Sequence, residues 1–493
     1  MNDLSPHADA IARDQRYRER ARSGTLIVYL QRFLSAAVNI AQMVVLSRLL
    51  TPAEFGVAAI VLVIYNFMTI MRDLGLSSAT IQVDSLGAER RAALFWFNAA
   101  VTGAGAILIV ATAPLLAAAF RAPLVPMLWV LALAFLVVGL ASQHAASLRR
   151  EIAFRPVAVA EIAGLLCGVT LTIGLAIHGA GAWSLVWGTV LQGCVTGALY
   201  WISAGWMPGW PRALRSHLHL VWFGAGASAF QLLNYLAYNL PTAAIGYLYD
   251  PAAMGQFSRA QSLLMFPLTF LLTPFMAVQF PLLCRFATQP EATIALSRRI
   301  LTLTCAAFLP IGLIASLGAA DIVAFLFGPQ WDRAAVMVAC LGPAIASFGI
   351  LGPFSHFMIS QGRVRELGLW GMFDFAARGG SAALGALHSP EAAAAAFGFV
   401  SFVVCAPLSL VVSGRRGPVT TRLQLSAIAQ SLPVVAASGA TAVAAALAVD
   451  RLQIGIVPVD LALLVVPTAA VWIVTVLTDR RVRVLLLAGE RSP

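Results

Sequence analysis

Apolar residues in this chain come in runs of roughly 20, the length that carries a helix across the hydrocarbon core of a bilayer, and short arginine-bearing loops separate them. The runs begin near Gly24, Glu54, Ala92, Leu124, Val157, Ala182, Leu218, Gly255, Ser297, Asp332, Val364, Glu391, Ala427 and Val459, which predicts an all-α, polytopic membrane protein of fourteen helices. Composition agrees: 60% of the 493 residues are hydrophobic and 11% are charged. A transmembrane β-barrel is excluded, because its strands alternate apolar and polar residues where these runs are apolar throughout.

Every basic residue is arginine, and the arginines follow the helix count. With the N-terminus inside, the even-numbered loops hold Arg90, Arg91, Arg149, Arg150, Arg155, Arg212, Arg215, Arg285, Arg298, Arg299, Arg363, Arg365, Arg415, Arg416 and Arg422. The C-terminal tail adds Arg480, Arg481, Arg483 and Arg491, whereas the opposite loops hold only Arg121, Arg333 and Arg451. This positive-inside asymmetry predicts an even number of helices with both termini cytoplasmic. It also accounts for the net charge of +11 without nucleic acid as a partner. Residues 1–23 carry five arginines and four acids ahead of an apolar run too long for a cleaved signal, so the expectation is a retained cytoplasmic tail. The six cysteines, Cys167, Cys194, Cys284, Cys305, Cys340 and Cys405, fall in or at the ends of apolar runs with no CxxC or Cys/His spacing and read as small core residues.

A short motif occurs twice. Leu49 to Gly56 (LLTPAEFG) and Leu248 to Gly255 (LYDPAAMG) share Pro-Ala-x-x-Gly, with Pro251 lying 199 residues after Pro52 and Gly255 the same distance after Gly56. Both copies fall at the turn between the first and second apolar run of a half, the arrangement of an internally duplicated transporter. The expected division is 1–23 as the cytoplasmic tail, 24–205 as a first lobe of six helices, 206–413 as a second, pseudo-symmetric lobe of six, and 414–493 as two further helices and a cytoplasmic tail.

Once the loop arginines are set aside, five remain inside apolar runs: Arg32 and Arg48 in the first, Arg72 in the second, Arg259 in the eighth and Arg378 in the eleventh. An arginine at the bilayer centre costs about 2.5 to 3.5 kcal/mol on insertion scales, so such residues face a watery cavity or a partner. Arg48 stands close enough to a run end to snorkel. Arg72 is followed by Asp73, and Arg378 comes four residues after Asp374 on one helical face, where an internal ion pair lowers the insertion cost. Arg32 and Arg259 have no acid at i±3 or i±4 and are the strongest candidates for a cationic transport path. Asp73, Glu161 and Asp374 are the candidate protonatable groups for ion coupling, each with the alternative role of ion-pair partner. Pro267, Pro274 and Pro281 recur every seven residues on one face of the eighth run and mark it as a candidate moving part. Asn39, Gln42, Asn66, Gln231, Asn234, Asn239 and Gln261 offer uncharged polar groups at comparable depth, for sugar hydroxyls or for bonds between helices.

No GxxxxGK[ST] loop, HExxH or long extramembrane segment is present, so the expectation is no bond chemistry and no cofactor. His144, His178, His217, His219, His356 and His388 are scattered near run ends and do not form a metal pattern.

Ser47 to Gln82 (SRLLTPAEFGVAAIVLVIYNFMTIMRDLGLSSATIQ) resembles the first helix pair of the Wzx-type polysaccharide flippases, a branch of the multidrug/oligosaccharidyl-lipid/polysaccharide exporter superfamily. Leu148 to Glu161, Asn239 to Arg259 and Phe327 to Ala334 are similar to further stretches of that family, and the likeness runs to about residue 410. The resemblance implies a two-lobed bundle in the bacterial inner membrane that alternates between inward-open and outward-open states. It implies an undecaprenyl-diphosphate-linked oligosaccharide as cargo, with a polysaccharide polymerase and a chain-length regulator as partners. An anionic diphosphate suits arginine donors, so Arg32 and Arg259, with Arg48, Arg72 and Arg378 behind them, are the expected cationic cavity. Three alternatives stand beside it: a drug or cation exporter of the same fold, a peptidoglycan-precursor exporter, and, from another class, a membrane glycosyltransferase or O-antigen ligase.

Overall fold

The computed structural model describes residues 27–28, 30–73, 87–210, 219–452 and 456–478. The tail at 1–23, the run starts at Gly24 and Leu218, Arg212, Arg215 and the four arginines after residue 479 lie outside the described residues. Long helices follow the apolar runs: α1 (Leu30–Leu49), α2 (Pro52–Asp73), α3 (Ala88–Phe120), α4 (Val125–Arg150), α5 (Phe154–Ile177), α6 (Ala182–Ala204), α7 (His219–Leu248) and α8 (Pro251–Arg285). Then come α9 (Pro290–Leu317), α10 (Asp332–Ser360), α11 (residues 364–386), α12 (Pro390–Gly414), α13 (Thr421–Leu452) and α14 (Val457–Thr478). A short helix, Ala319–Leu326, sits between α9 and α10.

Among the described residues, twelve helices are long and apolar enough to cross a membrane, against the fourteen expected. α7 and α11 stand outside the twelve. Gln231, Asn234 and Asn239 dilute the hydropathy of α7, and Asp374 and Arg378 that of α11.

The duplicated motif is a helix-start signal. At α2, the Thr51 backbone N–H donates to Glu54 Oε2 at 2.8 Å and the Glu54 N–H to Thr51 Oγ1 at 3.4 Å, a reciprocal capping box with Pro52 as the first helical residue. At α8, Asp250 caps the Ala253 N–H at 2.7 Å, again with proline, Pro251, next in the chain. Both prolines thus occupy the position where a missing N–H costs nothing.

Compactness divides the chain into two units, Met1–Leu49 with Val61–Ala229, and Leu50–Ile60 with Phe230–Pro493. The motif-bearing start of α2 therefore belongs to the second unit and the rest of α2 to the first. In the first unit, α5 and α6 approach through small residues: a Cβ on Gly188 would lie 1.7 Å from Thr172 Oγ1, and one on Gly168 would lie 2.8 Å from the Gly188 carbonyl oxygen. In the second, α9 and α10 close in the same way at Gly312 and Gly342. α13 and α14 dock on α9, where Thr302 Oγ1 donates to the Ala427 carbonyl at 3.1 Å and Trp472 Nε1 to the Ala306 carbonyl at 2.7 Å.

Three helices of the second unit contain a widened, π-helical turn: α8 at Leu268–Leu272, α11 at Phe375–Gly380 and α12 at Val400–Cys405. The one in α8 lies between Pro267 and Pro274. Pro274 has no N–H for the Phe270 carbonyl four residues back, so the regular ladder is already broken where the turn widens.

Candidate functional site

The two copies of the motif meet in the second unit beside a single arginine, Arg259. The turn of α2 at Gly56 crosses the turn of α8 at Gly255, and the fit is reciprocal: a Cβ on Gly56 would lie 1.7 Å from the Pro251 carbonyl oxygen, and one on Gly255 would lie 1.8 Å from that of Pro52. Only hydrogen fits at either place. Arg259 follows Gly255 by one helical turn and so stands on the same face of α8. Its guanidinium carbon lies 4.2 Å from the centroid of the Phe55 ring, the residue before Gly56. Phe55 is itself buried and meets Trp331 edge to face at 5.4 Å. Gln256 ties the Gln330–Ala334 segment to α8, donating to the Gln330 carbonyl at 2.8 Å and accepting from the Ala334 N–H at 2.9 Å. Arg259 has no hydrogen bond or ion pair among the described residues, and its Nε is buried without a partner.

Arg378, in the π-helical turn of α11, is bound quite differently. Its Nε donates to Asp374 Oδ1 at 2.6 Å, its Nη2 to Asp374 Oδ2, and its Nη1 to the Tyr238 hydroxyl at 2.9 Å. The Phe397 ring lies 5.6 Å from it, and the pair is almost fully enclosed, with side-chain exposures of 5% and 3%. Each nitrogen of Arg378 thus has a partner within its own unit, Asp374 for two and Tyr238 for the third. Gln261 bridges α8 to α7, donating to the Tyr238 carbonyl and accepting from Thr242 Oγ1 at 3.1 Å, and Asn239 bonds the Tyr235 carbonyl of its own helix at 2.9 Å.

In the first unit, Arg72 is buried at the end of α2 with its guanidinium carbon 5.3 Å from the Phe135 ring centroid of α4 and its Nη1 without a partner. Asp73, next to it, is exposed. Arg32 and Arg48 are both exposed on α1, and Arg32 makes no ion pair among the described residues. Glu161 is the hub of a polar knot of four helices: Arg149 Nη2 of α4 lies 3.0 Å from its Oε1, the Tyr200 hydroxyl of α6 donates to Oε1 at 2.9 Å, and Gln31 Nε2 of α1 donates to Oε2 at 3.0 Å. Of the three prolines in α8, Pro267 is buried, Pro274 half-buried and Pro281 exposed. An apolar cavity of about 460 Å³ borders the π-helical turn between Pro267 and Pro274, lined by Leu271, Leu272 and Phe275 of α8, Phe308 and Ile311 of α9 and Trp472 of α14.

Residues 45–336 match the sequence profile of the family described as "Polysaccharide biosynthesis protein". The chain belongs to that family. The match covers the duplicated motif, Arg48, Arg72, Arg259 and the Phe327–Ala334 segment, and bears out the likeness drawn from Ser47 to Gln82. Among individual relatives, the lipopolysaccharide biosynthesis protein WzxC of Escherichia coli is 24% identical over 70% of this chain and 71% of its own length. The succinoglycan biosynthesis transport protein ExoT of Rhizobium meliloti is 28% identical over 70% of each. The fold is shared more widely. It is similar to the lipid II flippase MurJ in an inward closed conformation, with a TM-score of 0.70 at 10% identity over 91% of this chain and 97% of that one. It is also similar to an inward-facing multidrug resistance MATE family transporter of the MOP superfamily, with a TM-score of 0.58 at 14% identity over 80% and 96%.

In this family member, reasoning from the sequence located Arg259 and missed what surrounds it. Phe55, Trp331 and Gln256 were not singled out, because an aromatic ring backing a cation leaves no spacing signature when about 200 residues separate the two. The available signals were indirect: Phe55 sits within the repeated motif, and Trp331 within the stretch FGPQWDRA.

Proposed function

We propose that this polysaccharide biosynthesis protein is a flippase that moves an undecaprenyl-diphosphate-linked oligosaccharide across the bacterial inner membrane by alternating access, for O-antigen, capsule or exopolysaccharide synthesis. The observation that carries the reading is Arg259: a half-buried cation in an apolar helix, with a buried, unpartnered Nε, in a member of this family. A diphosphate supplies the acceptors it lacks, and arginine matches phosphate oxygens better than lysine does. The candidate contacts are Arg259 in the second unit and Arg32 in the first, followed in rank by Arg72, whose Nη1 is also unpartnered, and Arg48. Arg378, bound to Asp374, contributes a fixed buried pair to the wall instead of a free donor. The apolar cavity beside α8 offers hydrocarbon-lined space in the same unit as Arg259, as a lipid cargo needs.

The arginine-rich even loops support a cytoplasmic position for both termini. The widened turn between Pro267 and Pro274 serves as the flexing point of α8, and Glu161 and Asp73 are the groups through which an ion gradient acts. The protein breaks no covalent bond. The cargo is then passed to a polymerase and a chain-length regulator. The test is export of polysaccharide by a strain carrying R32A together with R259A at matched protein levels. Export falls and lipid-linked oligosaccharide accumulates on the cytoplasmic side. Unchanged export removes these arginines from the path, and accumulation of a peptidoglycan precursor instead reassigns the cargo.

A further inference from the structure

Resting on the reading that Arg259 meets a diphosphate, we propose that Phe55 is the positioning residue of Arg259: its ring face holds the guanidinium in place and leaves the N–H donors to an anionic ligand.

A buried arginine needs a counter-group, and the choice of group decides whether the arginine stays available. A carboxylate takes the donors. Asp374 occupies Nε and Nη2 of Arg378, and Tyr238 takes Nη1, so a phosphate reaching Arg378 must first break three hydrogen bonds. An aromatic face attracts the cation through its quadrupole and takes no N–H in return. Arg259 has the second arrangement, 4.2 Å above Phe55, with Nε buried and unpartnered and no acid bonded to it among the described residues.

Phe55 is itself firmly held. It is 2% exposed, rests on the edge of the fully buried Trp331, and is joined to Gly56, whose backbone is pressed against Pro251. One crossing therefore fixes both partners, the ring through Gly56 and the guanidinium through Gly255 one turn before it. The first unit repeats the device at a longer distance, with Arg72 at 5.3 Å from Phe135 and its Nη1 unpartnered. Arg378 also faces rings, Tyr238 at 4.8 Å and Phe397 at 5.6 Å, but each of its nitrogens already has a partner; Arg259 and Arg72 combine a ring with an unpartnered nitrogen, and that combination is what equips them to receive an anion.

The experiment uses the full chain in detergent micelles with farnesyl diphosphate as the probe, its Kd read by isothermal titration calorimetry. F55M keeps an apolar side chain without a quadrupole, and F55Y keeps the ring. F55M weakens binding about 5- to 10-fold, the scale of one partly desolvated cation–π contact. F55Y stays within twofold, and both melt within a few degrees of wild type. R259A weakens binding more than F55M does while leaving it measurable, and F55M added to R259A weakens it no further, an outcome that a packing role for Phe55 would not produce. F55M binding as tightly as wild type while R259A binds more weakly overturns the positioning role and leaves the cargo reading standing. R259A binding like wild type removes the cargo reading at this residue and the positioning role with it. Should F55M prove unstable, equal weakening by F55Y and F55M at matched melting temperatures also overturns the proposal.

Discussion

The crossing of α2 and α8 makes Gly56→Ala a sharp test of the fold. A Cβ on Gly56 would stand 1.7 Å from the Pro251 carbonyl oxygen, where real Cβ atoms do not approach other atoms closer than 3.0 Å, so the backbones must part by at least 1.3 Å (3.0 − 1.7). The obstructing atom belongs to the backbone, at the first residue of a capped helix, and has no rotamer by which to move aside. Overpacking a core costs about 1 to 3 kcal/mol, and a clash of backbone with Cβ lies at or above the upper end. At roughly 2 °C per kcal/mol for a unit of this size, about 3 kcal/mol lowers the melting temperature by about 6 °C. The assay is thermal unfolding of the detergent-solubilised chain followed by tryptophan fluorescence, which Trp331 beside the crossing makes informative. Gly103→Ala, at a glycine with open space around it, is the control. Gly255→Ala shows the same loss as Gly56→Ala. The double variant loses less than the sum, because either methyl alone has already forced the crossing open. If Gly56→Ala melts within 1 °C of Gly103→Ala, the contact between the two motif copies is not as described here.

Two further outcomes follow from the second unit. D374N leaves Arg378 enclosed without its counter-charge and costs about 3 to 5 kcal/mol, read as a drop in melting temperature, whereas the double change D374L with R378M recovers most of it by removing both charges; a D374N protein as stable as wild type contradicts the buried pair. P274A restores an N–H facing the Phe270 carbonyl, so α8 tightens, the melting temperature rises or holds, and polysaccharide export falls several-fold at equal protein level if the widened turn must flex; unchanged export removes Pro274 from the moving part.

Local features were the legible ones. Apolar run length placed nearly every helix, because crossing a bilayer demands a length that shows in composition. The Asp374 and Arg378 pair was readable from its i,i+4 spacing, and the turn before the second run of each half from the repeated motif of Pro52 and Pro251. The π-helical turn of α8 is flanked by Pro267 and Pro274 and that of α12 is followed by Pro407, whereas the one at Phe375–Gly380 has no proline beside it and leaves no mark in the pattern. What escaped was everything decided across long stretches of chain. The repeat was visible as a repeat, but nothing in it says that the two copies lie against each other. No acid stands three or four residues from Arg259 in the chain, and the group that faces it is a ring on another helix. Glu161 reads in sequence as a protonatable group or an ion-pair partner, and its bonds to Gln31, Arg149 and Tyr200 come from three other helices. Compactness groups Leu50–Ile60 with residues after 229, an association that run lengths along the chain do not carry.

The mutual seat of Gly56 and Gly255 has an implication for how this gene can change. Each position is sealed by the main chain of the other copy, so a methyl gained at one cannot be offset by trimming a side chain at its counterpart, where none remains to trim. Relief has to come from shifting a whole helix end, a change beyond a single substitution. The two stretches of coding sequence, some 600 bases apart, are in this respect one mutational target.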